Sequence, residues 1–373
     1  MRGEDSRPPR RGRLFALGLL VAGMPPASLA TEEPRAFLEI SSWTRSQALP
    51  LEAFYNNLET PLDRGHSATT RNLVRIGAQY GAFSLAYVRR YDAEIEMSRD
   101  TLELIYLSTN TQSLPPGRRF DLRIRPWIMG AEGLQAGWRF TGENDRWSLE
   151  PRLTILKAND LAEGRLDGTA TAIDQNTYEY EAQVDYVYRD DVLLQREVDT
   201  PRGYGYALAL AGHWQASPEI QLRWDLRDLY GRVYWNDAPH TVAIATSDTR
   251  ETDANGFALF RPTLSGIENN VDYRQKLRPA GETQLDYRFT QPGLSTWTAL
   301  AGLVWTQTDT IATVGARHPL APWMDISVTT TPRVDALGIG LSSAYGSVYW
   351  LADRPDFKNL HTLSTRISIT YPF

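Results

Sequence analysis

Apolar and polar side chains alternate with a period of two along most of the chain. Over the last twelve residues, Leu363, Thr365, Ile367, Ile369, Tyr371 and Phe373 share one parity, while Thr362, Ser364, Arg366, Ser368 and Thr370 share the other. Successive side chains of a β-strand point to opposite faces, so this pattern predicts a strand with one apolar and one wet face. The same dyad recurs upstream. Phe120, Leu122 and Ile124 alternate with Asp121, Arg123 and Arg125, and Leu149, Leu153 and Ile155 with Ser148, Glu150, Arg152 and Thr154. Tyr180, Ala182, Val184, Tyr186 and Tyr188 oppose Glu179, Glu181, Gln183 and Asp185; Ile220, Leu222, Trp224 and Leu226 oppose Gln221, Arg223, Asp225 and Arg227. Trp and Tyr recur near the ends of these runs, where an aromatic girdle would meet a membrane interface, whereas a soluble sandwich would bury the apolar face against a second sheet.

The expected fold is therefore all-β: a transmembrane antiparallel up-and-down barrel. Roughly nineteen strand candidates can be picked out. The length after the leader, at about 20 residues per strand and connection, favours about 16 strands, within 14–18. The even strand number of such barrels requires dropping at least one candidate, and Val271–Leu277 and Ser347–Leu351 are the short runs to drop first; Pro126 and Pro151 interrupt apparent strands. With the last strand ending in the periplasm, Gln215–Pro218 and Gln291–Ser295 become periplasmic turns. Asn236–Asn255 and Leu351–His361 become external loops. Asp160–Asn176 then falls on the periplasmic side, which is long for that side. Gln47–His66 reads as a loop or a short plug helix. On the strand from Tyr204 to Ala211, the small inward set Gly205, Ala207, Ala209 and Ala211 leaves room for something to press on that wall.

The terminal Phe373, with Tyr371 two positions earlier and apolar residues at alternate steps before it, resembles the C-terminal assembly signature of Gram-negative outer-membrane β-barrel proteins of the porin-like superfamily. The resemblance covers about ten residues. It implies outer-membrane localisation, contact with outer-membrane lipid and lipopolysaccharide, and recognition by the assembly machinery through Tyr371 and Phe373.

The N-terminus agrees with export. Arg2, Arg7, Arg10, Arg11 and Arg13 precede the apolar run Leu14–Met24, and Ser28-Leu29-Ala30 gives a small-x-small site. Residues 1–30 are expected to be a cleaved signal peptide, leaving 31–373 as a single barrel domain. The apolar run is well short of the roughly 20 residues a spanning helix needs. With no Cys in the chain, disulfides, thiolate metal sites and lipoprotein processing are ruled out. A net charge of −6 gives no basic surface for nucleic acid.

The inward polar set supplies the candidate lumen-lining residues: Arg123, Arg125, Glu150, Arg152, Glu179, Glu181, Asp185, Arg223, Asp225 and Arg227. Opposed charges across a water-filled pore would filter polar solutes. The expected function is passage of small polar or charged solutes, with no cofactor and no metal. The alternative is a closed barrel that modifies envelope lipid or assists polysaccharide or protein export. None of the five histidines stands at metal-ligand spacing on an obvious helix, and neither His240 with Ser247 nor His213 makes a recognisable catalytic motif. An enzyme is the less expected outcome.

Overall fold

The computed structural model describes residues 33–54, 62–110, 112–191, 196–247, 250–252, 258–260 and 263–373; the expected signal peptide lies outside them. One antiparallel sheet closes on itself through the pairing of the first and last strands, Arg35↔Pro372 to Arg45↔Thr362. It is an up-and-down barrel of fourteen strands, with its apolar parity outside and its polar parity inside. The strands are β1 Arg35–Ser46, β2 Ser67–Tyr80, β3 Phe83–Met97, β4 Arg119–Trp138 and β5 Trp147–Ala172. Then come β6 (Tyr178–Tyr188 and Arg202–Gln215), β7 Ile220–Thr246 and β8 (Leu264–Lys276 and Ala280–Arg288). The last six are β9 Thr298–Trp305, β10 Thr310–Ala321, β11 Met324–Thr331, β12 Ala336–Ser342, β13 Gly346–Ala352 and β14 Thr362–Pro372.

The count falls at the low end of the expected range because the strands are unequal. Both segments of β6 pair with β5 and β7, and both segments of β8 pair with β7. Each is thus one wall strand interrupted by a loop, or by Leu277–Pro279. Strands β5 and β7 run 26 and 27 residues, against 7 or 8 for β9, β11, β12 and β13. A ten-residue strand already crosses the hydrocarbon layer, so the barrel has one tall wall rising out of the membrane and one short wall.

This geometry revises two connections. Residues 160–172 are the upper half of β5 and not a periplasmic loop, so the turn at 173–177 is external. Most of 236–255 is likewise strand, since β7 continues to Thr246. Both doubtful runs are paired strands. Pro126 sits where the β4–β5 ladder skips from Ile124↔Leu166 to Trp127↔Glu163, so its missing N–H costs no ladder bond there. In the 47–66 connection the described part holds a short 3-10 turn, Leu51–Phe54.

The space left by the small residues of β6 is filled by side chains of the wall itself. Trp127, Met129, Leu156, Val233, Trp235 and Leu277 form a buried apolar cluster on the inward side of the tall wall. A Cβ on Gly203 would lie 2.8 Å from both Val233 and the Trp235 ring, so glycine admits the indole. The Trp127 indole N–H donates to the Lys276 carbonyl and the Gln275 amide to the Ile128 carbonyl, tying β8 to β4 across the interior. Outside, helix α1, Arg99–Thr109, is capped by the Ser98 side chain and covers Phe120, Ala170 and Ala172 with Leu104.

Beside Trp127, its ladder partner in this cluster, and beyond the membrane-spanning part of β5, one carboxylate oxygen of Glu163 is buried without a hydrogen-bond partner. Burial raises its pKa, against the lowering influence of Tyr273, Arg278 and Gln275. A carboxyl whose folded pKa lies above its unfolded value adds stability below the unfolded pKa, near 4.3, and loses it as pH rises through the folded value. Glu163→Gln should therefore stabilise the extension at pH 7 and flatten its pH dependence between about 4 and 7, measured by hydrogen exchange of β5 and β8. Equal exchange in variant and parent would contradict the assignment.

Candidate functional site

The inward parity of the barrel carries its charge in tiers. On β3, the alternation that sends Phe83, Leu85 and Tyr87 outward sends Arg90, Asp92 and Glu94 inward, where all three are buried. Arg90 reaches across the lumen and grips Asp228 of β7 with two bonds of 2.8 and 2.5 Å, while its Nε donates to Asp92 at 2.6 Å. Asp228 belongs to the outward parity of β7. A bulge, where the register jumps from Leu208↔Tyr230 to Leu210↔Leu226, turns it inward with φ +54°. Beside this pair, Arg71 of β2 donates to Glu94 at 2.5 Å and Arg278 donates to the same carboxylate at 2.6 Å. Both guanidiniums pack on the Trp127 ring, 5.4 and 5.1 Å from its centroid.

A second tier joins Arg152 to Glu150 at 3.0 Å and to Asp225 at 2.9 Å, with Ser84 donating to Glu150 at 3.0 Å. A third joins Arg223 and Arg317 to the same oxygen of Asp286, Oδ2, each at 2.8 Å. Between them, Arg366 of β14 bonds Glu282 of β8. These strands stand six apart along the short wall, so the pair forms a chord across the lumen.

The chord separates two spaces, and both are lined by Glu282 and Arg366. On the tall-wall side the cavity is about 90 Å³, crowded by Arg71, Arg75, Arg90, Arg152 and their carboxylates. On the short-wall side it is about 390 Å³. Its lining runs from Ser342 and Ser347, beside a periplasmic turn, to Thr331 and Thr362, beside the external ones, and so covers the height of the short wall. Neutral hydroxyls are the commonest polar groups here, among them Thr313, Ser327 and Thr329, the last within 2.8 Å of the Tyr349 hydroxyl, and Leu300, Val304 and Ile311 stand beside them. Gly302 and Gly340 lie on the same inward parity and put no side chain into the space.

The sequence-derived residues divide between two regions. Glu150, Arg152, Arg223 and Asp225 face the barrel interior and enter the tiers just described, while Arg227 lines the smaller cavity. Arg123, Arg125, Glu179, Glu181 and Asp185 stand on the extension above, where Arg125 pairs with Asp167 at 2.6 Å and Asp185 with His240 at 2.9 Å. The sequence reading missed Arg71, Arg90, Asp92, Glu94, Asp228, Arg278 and Glu282. For β3 the signal was present as a polar end to an otherwise apolar-alternating run; for Asp228, hidden by a bulge, it was not. Tyr371 and Phe373 end the closing strand, and the Phe373 amide donates to the Pro34 carbonyl at 3.0 Å.

Catalytic arrangements are sparse. His240 is held by Asp185 and Asn269, while Ser247 bonds the Tyr180 backbone, so those two do not pair. Ser148 and His213 do meet, with Oγ 2.7 Å from Nδ1, but Nε2 of His213 faces the Asp145 carbonyl at 3.0 Å, and among the described residues no carboxylate completes the group. Among the described residues no cluster of three or more acidic or histidine side chains could hold a metal ion.

No family model matches the chain, and no curated protein does. Among solved structures it is similar to the P. putida toluene transporter TodX, with TM-score 0.39, 8% identity and coverage of 92% of this chain and 91% of that one. It is also similar to the translocator domain of the autotransporter NalP from Neisseria meningitidis (0.31, 11%, 92% and 89%) and to a Pseudomonas aeruginosa FadL homologue (0.29, 12%, 92% and 91%).

Proposed function

We propose that this chain is an outer-membrane channel through which small polar solutes pass along the short wall, beside the Arg366–Glu282 chord. The observation that carries the reading is the contrast between the two spaces. Ion pairs and an apolar cluster fill one half of the lumen, whereas the other holds the cavity of about 390 Å³ and offers hydroxyls that can replace water around a polar solute. An apolar cargo would strip water from the hydroxyls and ion pairs that line this space and put nothing polar in its place. The charged residues named from the sequence act here mainly by pairing. Arg223 stands at the corridor, and Arg123, Arg125, Glu179, Glu181 and Asp185 set the field at the outer mouth. We read residues 1–30 as the export signal, and Tyr371 and Phe373 as the segment engaged by the assembly machinery.

Purified, folded protein in planar bilayers should conduct ions in steps. In liposomes it should admit pentose-sized sugars faster than disaccharides. A folded protein that conducts nothing and swells no liposome would support the alternative of a shut barrel, whose activity lies on its outer surface or in export.

A further inference from the structure

The outer face of the tall wall carries a dense basic patch that the channel does not use. Below it the wall is lipid-like: Leu134, Leu153, Ile155 and Leu208 are exposed, and Trp214 marks the periplasmic rim. Ten residues up from Trp214 the chemistry changes at Tyr204. At about 3.3 Å per residue and a tilt near 40°, that is a rise of about 25 Å, the height of the apolar band of such barrels.

Ladder pairing sets the patch in order. Lys157, Tyr204, Tyr234 and Arg274 form one row across β5 to β8, and Tyr206, Arg232 and Lys276 the row beneath. Arg89 on β3 adjoins Lys157 through Glu132. Arg232 lies over Tyr230 and Arg274 over Tyr234, 5.8 and 5.9 Å from the ring centroids, which holds both guanidiniums flat against the wall. The Tyr206 and Tyr230 rings stand against each other, 5.9 Å between centroids. Glu132 pairs within this lattice, 3.6 Å from Lys157 and bonded by the Tyr87 hydroxyl at 2.9 Å, and the exposed Asp272 lies two positions before Arg274.

Cations at the top of an apolar band face the outer-leaflet headgroups, and a patch in which cations outnumber carboxylates fits an anionic one. We propose that this surface binds the phosphorylated glycolipid of the outer leaflet. Its phosphates would be held by Lys157, Arg232, Arg274 and Lys276, its sugars would lie on the tyrosine rings, and its acyl chains would follow the leucine face below. Arginine and lysine are the side chains that make charge-assisted bonds to phosphate, and the tyrosines supply flat faces with hydroxyl donors.

The test is binding of fluorescent lipid A bisphosphate to full-length protein in detergent, with dephosphorylated lipid A and phosphatidylglycerol as probes of the same acyl surface. The wild type should prefer the bisphosphate to both by roughly tenfold or more. The triple variant Lys157→Ala, Arg232→Ala, Arg274→Ala should lose that preference while keeping its heat-modifiable migration. Glu132→Gln, which frees Lys157, should strengthen binding about twofold to fivefold, a gain that damage to the fold would not produce. Equal binding of the three probes, or unchanged preference in the folded triple variant, would overturn the proposal.

Discussion

Breaking the chord between Arg366 and Glu282 from either end should shift ion selectivity in opposite directions. Arg366→Ala leaves Glu282 facing the joined space and should make the channel cation-selective; Glu282→Gln leaves Arg366 and should make it anion-selective. A unit charge a few ångströms from the path contributes about 1 kcal/mol even in bulk water, so each permeability ratio should move at least about fivefold. The double variant should conduct more than the parent, because the cavities of about 90 and 390 Å³ that share this pair would merge. Reversal potentials in a salt gradient read the two signs. A shift in the same direction for both single variants would mean that ions do not pass the chord.

The second large effect concerns stability. In Asp228→Asn the side chain keeps its shape and its tolerance of the left-handed backbone, but Arg90 loses the charge that it grips with two bonds. Removing one partner of a buried pair costs about 3–5 kcal/mol. The folded barrel should therefore unfold at markedly lower denaturant, measured by tryptophan fluorescence or heat-modifiability in detergent. A variant within about 0.5 kcal/mol of the parent would show that the pair is solvated and the tall-wall half of the lumen is open.

Much of this barrel can be read from period-two alternation, because lipid outside and water inside impose it on every strand. Glu150, Arg152, Arg223, Asp225 and Arg227 were found for that reason. Three kinds of information were not in the pattern. A bulge reverses parity locally, so Asp228 reads as outward while its carboxylate lies under Arg90. Strand length decides whether an inward residue lies in the membrane or above it, and nothing local told β5 to stop at Ala158 or continue to Ala172. The corridor is made by what is missing, inward Gly and small hydroxyl residues on β9 to β13, which carry no charge to draw attention. The chord itself pairs residues 84 positions apart, a juxtaposition only closure of the sheet creates.

Because the chain has no cysteine, single cysteines can report directly on where the path lies. Thr329→Cys stands in the short-wall corridor and Ala209→Cys beside the tall-wall ion pairs. Added to conducting channels in a planar bilayer, a charged, water-soluble thiol reagent should cut the current through Thr329→Cys and leave Ala209→Cys unchanged. Block at Ala209→Cys with none at Thr329→Cys would contradict the account.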